Sequence, residues 1–270
     1  MKLPRPAELK DSDAKYLYLH DIKEFFGRKS WERYVYMNRL CTVIDFIKRN
    51  IEDSAIVDVG CAQGNFSLAL AKIGYETYGV DLRSSFITYA KLKMSEDEKK
   101  VFHVGWMVAD ARNLPLQSNS VGCVLLLEIL EHTIMPEKMI EEACRVLKRG
   151  GYLIVSTPNQ KRMRMSAKII SYSDFFKKKY VIKNIQTLPD STAKGSEHIF
   201  EFQMMELLKL LRKFNLKIVD IKWKTFLGFR FILAKLFDCN ILSVLEKYFF
   251  KIYYLKEKFA MKFIFFCLKR

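Results

Sequence analysis

Residues 55–64 read AIVDVGCAQG, and residues 65–74 continue as NFSLALAKIG. The first stretch is a short apolar run that ends in Gly60, which is typical of a buried strand. The second stretch predicts a helix that stops at Gly74. A strand, a glycine-containing turn and a helix therefore follow one another, and this order opens a parallel α/β sheet.

The same alternation of strand and helix continues to residue 157. The stretch at 121–128, VGCVLLLE, is almost continuously apolar, as expected of a central parallel strand that is buried on both faces. The strands expected besides 55–60 are 76–81, 103–110, 121–128, 152–158, 216–226 and 261–270, and the expected helices are 31–49, 65–74, 84–94, 136–151 and 202–214. We therefore predict an α/β fold with a doubly wound, mostly parallel sheet that has helices on both faces.

We divide the chain into four parts. Residues 1–50 are an N-terminal helical segment, 51–225 the core, 226–260 a helical insertion rich in aromatic and basic residues, and 261–270 the final strand of the core. The insertion is too long for a hairpin turn. We expect residues 226–258 to lie as a lid or a membrane-facing surface beside the ligand cleft.

Composition excludes several classes of protein. Half of the 270 residues are hydrophobic and 28% are charged, which is not the composition of a disordered chain. No uncharged apolar run approaches the roughly 20 residues that span a bilayer. The N-terminus lacks the apolar core of a signal peptide, and the six scattered cysteines form no CxxC pair. We therefore expect a cytoplasmic protein without a disulfide framework.

Positive charge is concentrated in the last two-fifths of the chain. Residues 161–270 hold 24 basic and 9 acidic side chains, whereas residues 1–160 hold 22 and 21. This pattern admits three interpretations. The basic side chains could form a solvated face without a partner, residues 226–258 could contact an anionic membrane surface, or the basic region could bind nucleic acid. Nucleic acid is the less favoured, because the aromatic residues there have helical spacing. A second subunit would also cover the apolar surface.

Acidic side chains stand where the predicted parallel strands end. Asp81 follows the second strand, 17 residues after Gly64, and a carboxylate there can accept hydrogen bonds from both hydroxyls of a ribose. Asp110 follows the third strand and could accept from an exocyclic amine. Glu128 follows the fourth. In open α/β sheets ligands bind at this edge, so the pattern predicts a nucleoside-containing ligand.

At this point the sequence resembles the class I S-adenosylmethionine-dependent methyltransferases. The motifs VDVGCAQG, YGVDL, VADARNLPL, LLLEILEH and RVLKRGGYLIVSTPN follow one another at fitting spacings over about residues 40–225. They look most like the branch that contains the ubiquinone-pathway O-methyltransferases and many small-molecule and glycan methyltransferases. The resemblance implies a seven-stranded, Rossmann-like sheet and S-adenosylmethionine as cofactor.

The resemblance also implies a set of cofactor-binding residues. Gly60 and Gly64 would line the methionine moiety, Asp81 would hold the ribose, and Leu82 would pack on the ring. The full set that it implies is Asp58, Gly60, Cys61, Ala62, Gly64, Asp81, Leu82, Asp110, Ala111 and Glu128. Asp58 would orient the loop or bind the ammonium group, while Asp110 and Ala111 would face the adenine.

Ala62 departs from this pattern, because a middle glycine is common at its position. With a negative φ, alanine adds only a methyl group, so we expect a shifted cofactor contact and not its loss. A nicotinamide dinucleotide site is disfavoured, since the loop lacks the third glycine of GxGxxG.

The segment E-x-x-E-H, formed by Glu128, Glu131 and His132, admits three interpretations. In the first, Glu131 and His132 begin a loop, and His132 caps it or contacts the cofactor pocket. In the second, His132 is the general base that accepts the proton of the acceptor. In the third, these three residues and His198 bind Mg²⁺ or Mn²⁺, which suit oxygen and imidazole ligands. The segment resembles metal-binding segments of ubiquinone-pathway O-methyltransferases and of small-RNA 3′-terminal 2′-O-methyltransferases.

The sequence therefore predicts a methyltransferase that acts on oxygen of a lipid-linked, glycan or quinone-like small molecule, peripherally at a membrane. Two alternatives stay open at this point. One is an RNA ribose 2′-O-methyltransferase, and the other is a non-catalytic interaction protein that binds the cofactor on the same fold.

Overall fold

The computed structural model describes residues 31–159, 202–226 and 260–270. Most of the predicted insertion at 226–260 and the candidate ligand His198 lie outside these described residues. The N-terminal segment is described only from Trp31, so the domain boundaries stay predictions.

Seven strands and six α-helices make up the described part of the chain. The strands are β1 (Ile56–Val59), β2 (Thr77–Asp81), β3 (Val104–Val108), β4 (Val121–Leu127), β5 (Leu147–Pro158), β6 (Leu216–Phe226) and β7 (Ala260–Lys269). The helices are α1 (Trp31–Asn50), α2 (Asn65–Lys72), α3 (Ser84–Leu92), α4 (Glu96–Val101), α5 (Pro136–Val146) and α6 (Met204–Lys213), with a 3₁₀ turn at Leu130–His132.

The strands form one sheet in the order β3-β2-β1-β4-β5-β7-β6. Strands β1 to β5 pair in parallel, and β7 is antiparallel to both of its neighbours. The predicted seven-stranded, mostly parallel α/β fold is thus confirmed, and so is the use of the last residues as a strand. Because strand order reverses between β1 and β4, the carboxyl ends of these two strands flank the place where such sheets bind ligands.

The sheet is covered on both faces, which explains why its central strands are apolar throughout. On one face, Val43 and Ile47 of α1 pack with Leu70 of α2 against the sheet. On the other, buried residues of α5 and α6, such as Ile140 and Leu211, complete a second core. All seven residues of β4 are buried.

One predicted boundary is wrong. The helix expected at 136–151 ends at Val146, and β5 begins directly at Leu147. Leu147 is fully buried and pairs with Val121, and the pairing shifts before it resumes at Cys123. Gly150 adopts a φ of 76°, a left-handed conformation that glycine tolerates and that a helix cannot contain.

Helix α4 was not predicted, although the sequence carries a signal for it. Ser95 and Glu98 form a capping box: the Glu98 N–H donates to Ser95 Oγ at 3.2 Å, and the Ser95 N–H donates to Glu98 Oε2 at 3.0 Å. Within the described ranges, no helix combines the length and the hydropathy needed to cross a lipid bilayer.

Candidate cofactor and acceptor site

The turn after β1 is held by the neighbouring strand. The N–H groups of Gly60 and Cys61 both donate to the Val80 carbonyl, at 2.8 and 3.0 Å. Gly60, Ala62 and Gly64 have φ angles of 73°, 46° and 71°, so the turn alternates through the left-handed region. This path brings the turn over the carboxyl end of β2.

Ala62 does not have the negative φ that the sequence analysis assumed. It adopts the left-handed conformation, which costs a residue with a Cβ roughly 1–2 kcal/mol. The Ala62 N–H donates to Asp81 Oδ2 at 2.8 Å, and this bond joins the turn to the end of β2. The hydrogen bond to Asp81 therefore holds Ala62 in its strained left-handed conformation, and both residues belong to the predicted site.

Gly64 is required by packing as well as by its φ. A Cβ added there would lie 2.2 Å from Cη2 of Trp106, and one added at Gly79 would lie 2.5 Å from Cζ3 of the same ring. The indole of Trp106 therefore covers two glycines, one in the turn and one in β2. Sequence reasoning missed this role of Trp106, although a tryptophan in a strand beside glycines is a usable signal.

Asp58 lies beneath the turn and is 3% exposed. Its Oδ2 accepts a hydrogen bond from Ser67 Oγ at 2.7 Å, and the Ser67 N–H also donates to the carboxylate. Burial raises its pKa to about 6, while Ser67 and the charge of Arg39 act in the opposite direction. These contacts connect Asp58 to the first turn of α2. Of the two roles predicted for Asp58, they are consistent with orienting the loop.

Asp81, the residue predicted to hold the ribose, ends β2. Oδ2 accepts from the Ala62 N–H at 2.8 Å and Oδ1 accepts from the Arg83 N–H at 2.9 Å. A carboxylate has about four acceptor positions, so Asp81 retains capacity for a ribose hydroxyl. Burial raises the pKa of Asp81, and the N–H donors oppose that shift.

Exposed apolar side chains stand beside Asp81 in the sequence and at the same edge of the sheet. Leu82 is 68% exposed and Val108, at the end of β3, is 55% exposed. Ala111 is buried, while the carboxylate of Asp110 is paired with Arg112 at 2.5 Å. That pair lowers the pKa of Asp110, and an adenine amine would have to share its carboxylate with Arg112.

Glu128 follows β4 and has a φ of 56°, which is uncommon for a residue with a side chain. The Ser156 hydroxyl donates to its Oε1 at 2.9 Å, the Lys262 ammonium donates to its Oε2, and Arg39 Nη1 lies 3.5 Å from Oε2. Burial by itself would raise the pKa of Glu128, but the charges of Lys262 and Arg39 outweigh it and hold the pKa at about 2. Glu128 is therefore ionised at the end of β4, and the cations of Lys262 and Arg39 balance its charge.

Glu131 is 1% exposed and accepts a hydrogen bond from Thr157 Oγ1 at 3.2 Å. Burial and, after it, the charge of Glu128 raise the pKa of Glu131 well above its usual range. His132 ends the 3₁₀ turn with its N–H bonded to the Ile129 carbonyl, and its role as a base stays a prediction.

The predicted metal site is not formed by the described residues. Among residues 31–159, 202–226 and 260–270, no group of three or more His, Cys, Asp or Glu side chains is arranged to hold a metal ion. Glu128 is paired with Lys262 and Arg39, so its carboxylate is already neutralised and is not available as the anionic ligand that Mg²⁺ or Mn²⁺ requires. As it is paired within the described residues, Glu128 does not fit a divalent cation.

Arg39 and Lys262 were not among the predicted site residues. Arg39 lies on α1, where its guanidinium stacks 5.7 Å from the Tyr36 ring and 5.6 Å from the Phe66 ring. A usable signal was its spacing: it stands three residues after Tyr36 and four before Val43, on the buried face of the helix. Lys262 directly precedes the apolar run FIFFCL of β7, which is a similar signal.

Comparison with known proteins agrees with this geometry. A family profile described as a methyltransferase domain matches residues 57–155. The ubiquinone biosynthesis O-methyltransferase of Hydrogenovibrio crunogenus is 34% identical over 120 residues, which is 43% of this chain and 48% of that protein. The protein of the same name from Xanthomonas oryzae is 26% identical over 182 residues, covering 66% of this chain and 70% of that one. The first of these matches, like that to the Coxiella burnetii protein of the same name, spans only about half of the relative's length.

Solved structures share the fold. A Methanosarcina mazei protein described as an S-adenosylmethionine-dependent methyltransferase has a TM-score of 0.54 and 21% identity, over 83% of this chain and 96% of that one. The magnesium protoporphyrin IX methyltransferase of Synechocystis, solved with bound S-adenosylhomocysteine, has a TM-score of 0.56 and 14% identity, over 95% and 100%. Residues 57–155 therefore match a methyltransferase domain, and the sheet has the fold of these solved methyltransferases.

Proposed function

We propose that this protein transfers a methyl group from S-adenosylmethionine to an oxygen of a small acceptor molecule. The observation that carries the proposal is the hydrogen bond from the Ala62 N–H to Asp81, which joins the turn after β1 to the carboxylate at the end of β2. The residues present fit the cofactor: a turn with little side-chain bulk, a carboxylate with acceptor capacity, and the exposed Leu82 and Val108 for an adenine ring.

The residues of the chain would then act mainly by positioning. When bound, S-adenosylmethionine provides a methyl group that is already activated on a sulfonium. Asp81 would hold the ribose and the turn would hold the methionine part, so that the acceptor oxygen can align with the methyl group. A bond forms between that oxygen and the methyl carbon, the methyl–sulfur bond breaks, and the hydroxyl proton leaves to a base. His132 is our candidate for that base.

For the acceptor we propose a lipid-linked, glycan or quinone-like molecule. All three relatives described above carry the name ubiquinone biosynthesis O-methyltransferase, which supports a quinone-like acceptor. The composition of residues 226–258, apolar and aromatic with lysines, supports an acceptor that is reached at a membrane. The RNA ribose 2′-O-methyltransferase stays the alternative, and its fourth candidate metal ligand, His198, lies outside the described residues.

Calorimetric titration of S-adenosylmethionine tests the cofactor site. We expect the parent to bind and Asp81→Asn to bind about 10- to 100-fold more weakly, since a hydrogen bond to a charged group is worth roughly 1.5–3 kcal/mol. Asp53→Asn is the control, because Asp53 is an exposed carboxylate before β1. Equal affinity of Asp81→Asn and the parent would remove Asp81 from the site.

Activity is tested separately, with methyl-labelled cofactor and panels of catechols, quinols, glycans and lipid-linked sugars. Transfer to any hydroxyl compound supports the proposal. Cofactor binding without transfer to any member would favour the non-catalytic binding protein.

Vesicle flotation tests the membrane part of the proposal. We expect the full chain to float with anionic vesicles at low salt and less with neutral vesicles or at high salt. Equal recovery in the soluble fraction for the full chain and for a version without residues 228–258 would remove this part.

A further inference from the structure

The environment of Glu128 is unusual because two cations converge on one carboxylate oxygen. Lys262 donates to Oε2, and Arg39 Nη1 lies 3.5 Å from the same atom. The side chains of Glu128, Arg39 and Lys262 are only 17%, 16% and 20% exposed. A carboxylate so far out of water must be neutralised by a partner, and here the protein provides the partner itself.

The other carboxylate oxygen is also occupied. Ser156 Oγ donates to Oε1 at 2.9 Å, and the Glu128 N–H donates to the Ser156 carbonyl at 2.9 Å. The second carboxyl of the segment, Glu131, accepts from Thr157 Oγ1. Each carboxyl is thus bonded to a residue of β5 on the adjacent strand, and a metal ion would have to displace these donors.

The fold places Lys262 at this position through strand β7. Because β7 runs antiparallel to β5, its first residues reach the carboxyl end of the parallel strands, where Lys262 pairs with Pro158. Lys262 has the same strand parity as Ile264 and Phe266, which pack in the core on the side of α1. Its ammonium therefore reaches Glu128 on the face where Arg39 also lies.

We propose that Lys262 takes the place of a divalent cation at the E-x-x-E-H segment: its ammonium neutralises Glu128 from within the chain and closes this position to metal ions. Lys262 is then a positioning residue that fixes Glu128 at the end of β4. The placement of this cluster beside a cofactor rests on the proposed function, but the exclusion of metal rests on the ion pair alone.

The test compares melting temperatures with and without Mn²⁺ on the full chain, purified without an oligohistidine tag. We expect Mn²⁺ to leave the parent unchanged. In Lys262→Met, Glu128 loses its ammonium partner, and we expect saturating Mn²⁺ to raise the melting temperature by about 5 °C through binding to the folded state. The double variant Glu128→Gln/Lys262→Met should not respond.

Lys222→Met is the matched control, because Lys222 pairs with Asp220 on β6 and its side chain is 48% exposed. It should behave as the parent does. A rise in the parent that disappears in Glu128→Gln would overturn the proposal, and so would the lack of any rise in Lys262→Met.

If Lys262→Met does not fold, Mn²⁺ binding to the parent and to Glu128→Gln is measured by the loss of the free-ion electron paramagnetic resonance signal. No Glu128-dependent binding supports the proposal, and binding that Glu128→Gln abolishes contradicts it. Neither measurement depends on methyl transfer, so a failure here is distinct from a failure of the proposed function.

Discussion

The two halves of the candidate site treat their carboxylates differently. On the β1–β2 side, Asp81 is held by the backbone N–H groups of Ala62 and Arg83, beside the exposed Leu82. On the β4–β5–β7 side, Glu128 is held by the side chains of Lys262, Arg39 and Ser156.

This difference shows which half is prepared for a ligand. Backbone donors leave a carboxylate charged and partly available, and the exposed apolar surface next to it offers a place for a ring. Cationic side chains instead neutralise the carboxylate and lock it. The first half is thus suited to bind the cofactor, and the second is suited to hold the end of β4 in one position.

The largest effect is expected in the first half, at Gly64. Gly64→Ala would place a Cβ 2.2 Å from the Trp106 ring in a residue with a φ of 71°. We expect a loss of about 4 kcal/mol in the free energy of unfolding, as the sum of overpacking and left-handed strain. Urea denaturation followed by circular dichroism measures it.

Gly150→Ala separates the two causes. Gly150 has a φ of 76°, but an added Cβ would meet nothing within 4 Å, so this variant should lose only about 1 kcal/mol. Equal losses of stability in Gly64→Ala and Gly150→Ala would mean that Trp106 does not restrict the space at Gly64.

The second effect concerns the locked half. Lys262→Met leaves the Glu128 carboxylate with Arg39 as its cationic partner. We expect the free energy of unfolding to fall by about 3 kcal/mol, because the charge of a mostly buried carboxylate is then no longer fully balanced. Denaturant unfolding without metal measures it. Glu128→Gln/Lys262→Met should recover much of the loss, whereas Lys222→Met should cost less than about 1 kcal/mol. If Lys262→Met lost no more stability than Lys222→Met, the claim that Lys262 stabilises Glu128 at the end of β4 would be wrong.

The third effect is a pH dependence beneath the turn, at Asp58. The pKa of Asp58 is raised from 3.8 to about 6 on folding, so the unfolded chain releases this proton at a lower pH than the folded protein. The stabilising contribution is complete below about pH 4 and is lost as the pH rises to about 6. Asp58→Asn has no such proton, so its stability relative to the parent should rise by about 2 kcal/mol across this window.

The measurement is the free energy of unfolding of Asp58→Asn and the parent at pH 4 and pH 7. Asp53→Asn, at an exposed carboxylate nearby, should show no such change relative to the parent. A relative stability of Asp58→Asn that is constant with pH would show that folding does not shift the pKa of Asp58.

The smallest effect is a gain at Ala62. Ala62→Gly removes the strain of a left-handed alanine with a φ of 46°, and we expect about 0.5–1 kcal/mol of added stability after the entropy of the unfolded glycine is counted. Thermal unfolding measures the gain. Ala69→Gly, inside α2, should instead lose about 1 kcal/mol. Loss of stability in Ala62→Gly would mean that the turn does not strain this residue.

The strand ends were the part of the site that local sequence patterns could predict. Asp58, Gly60 and Asp81 each follow or end a short apolar run, and consecutive parallel strands bring their carboxyl ends to one edge. The φ of Ala62 could not be predicted in this way, because it depends on the hydrogen bond to Asp81, 19 residues away. The early end of α5 depends in turn on the pairing of Leu147 with Val121.

The sequence by itself determined the parallel sheet and the places where its strands end, because both follow from periodicity and from neighbours along the chain. Only the tertiary structure decided the state of Glu128. Its partner Lys262 is 134 residues away in the sequence, on strand β7, which runs antiparallel to β5. A segment that reads as a set of metal ligands becomes an ion pair there, since the charge of a buried carboxylate is decided by whichever cation the fold brings to it.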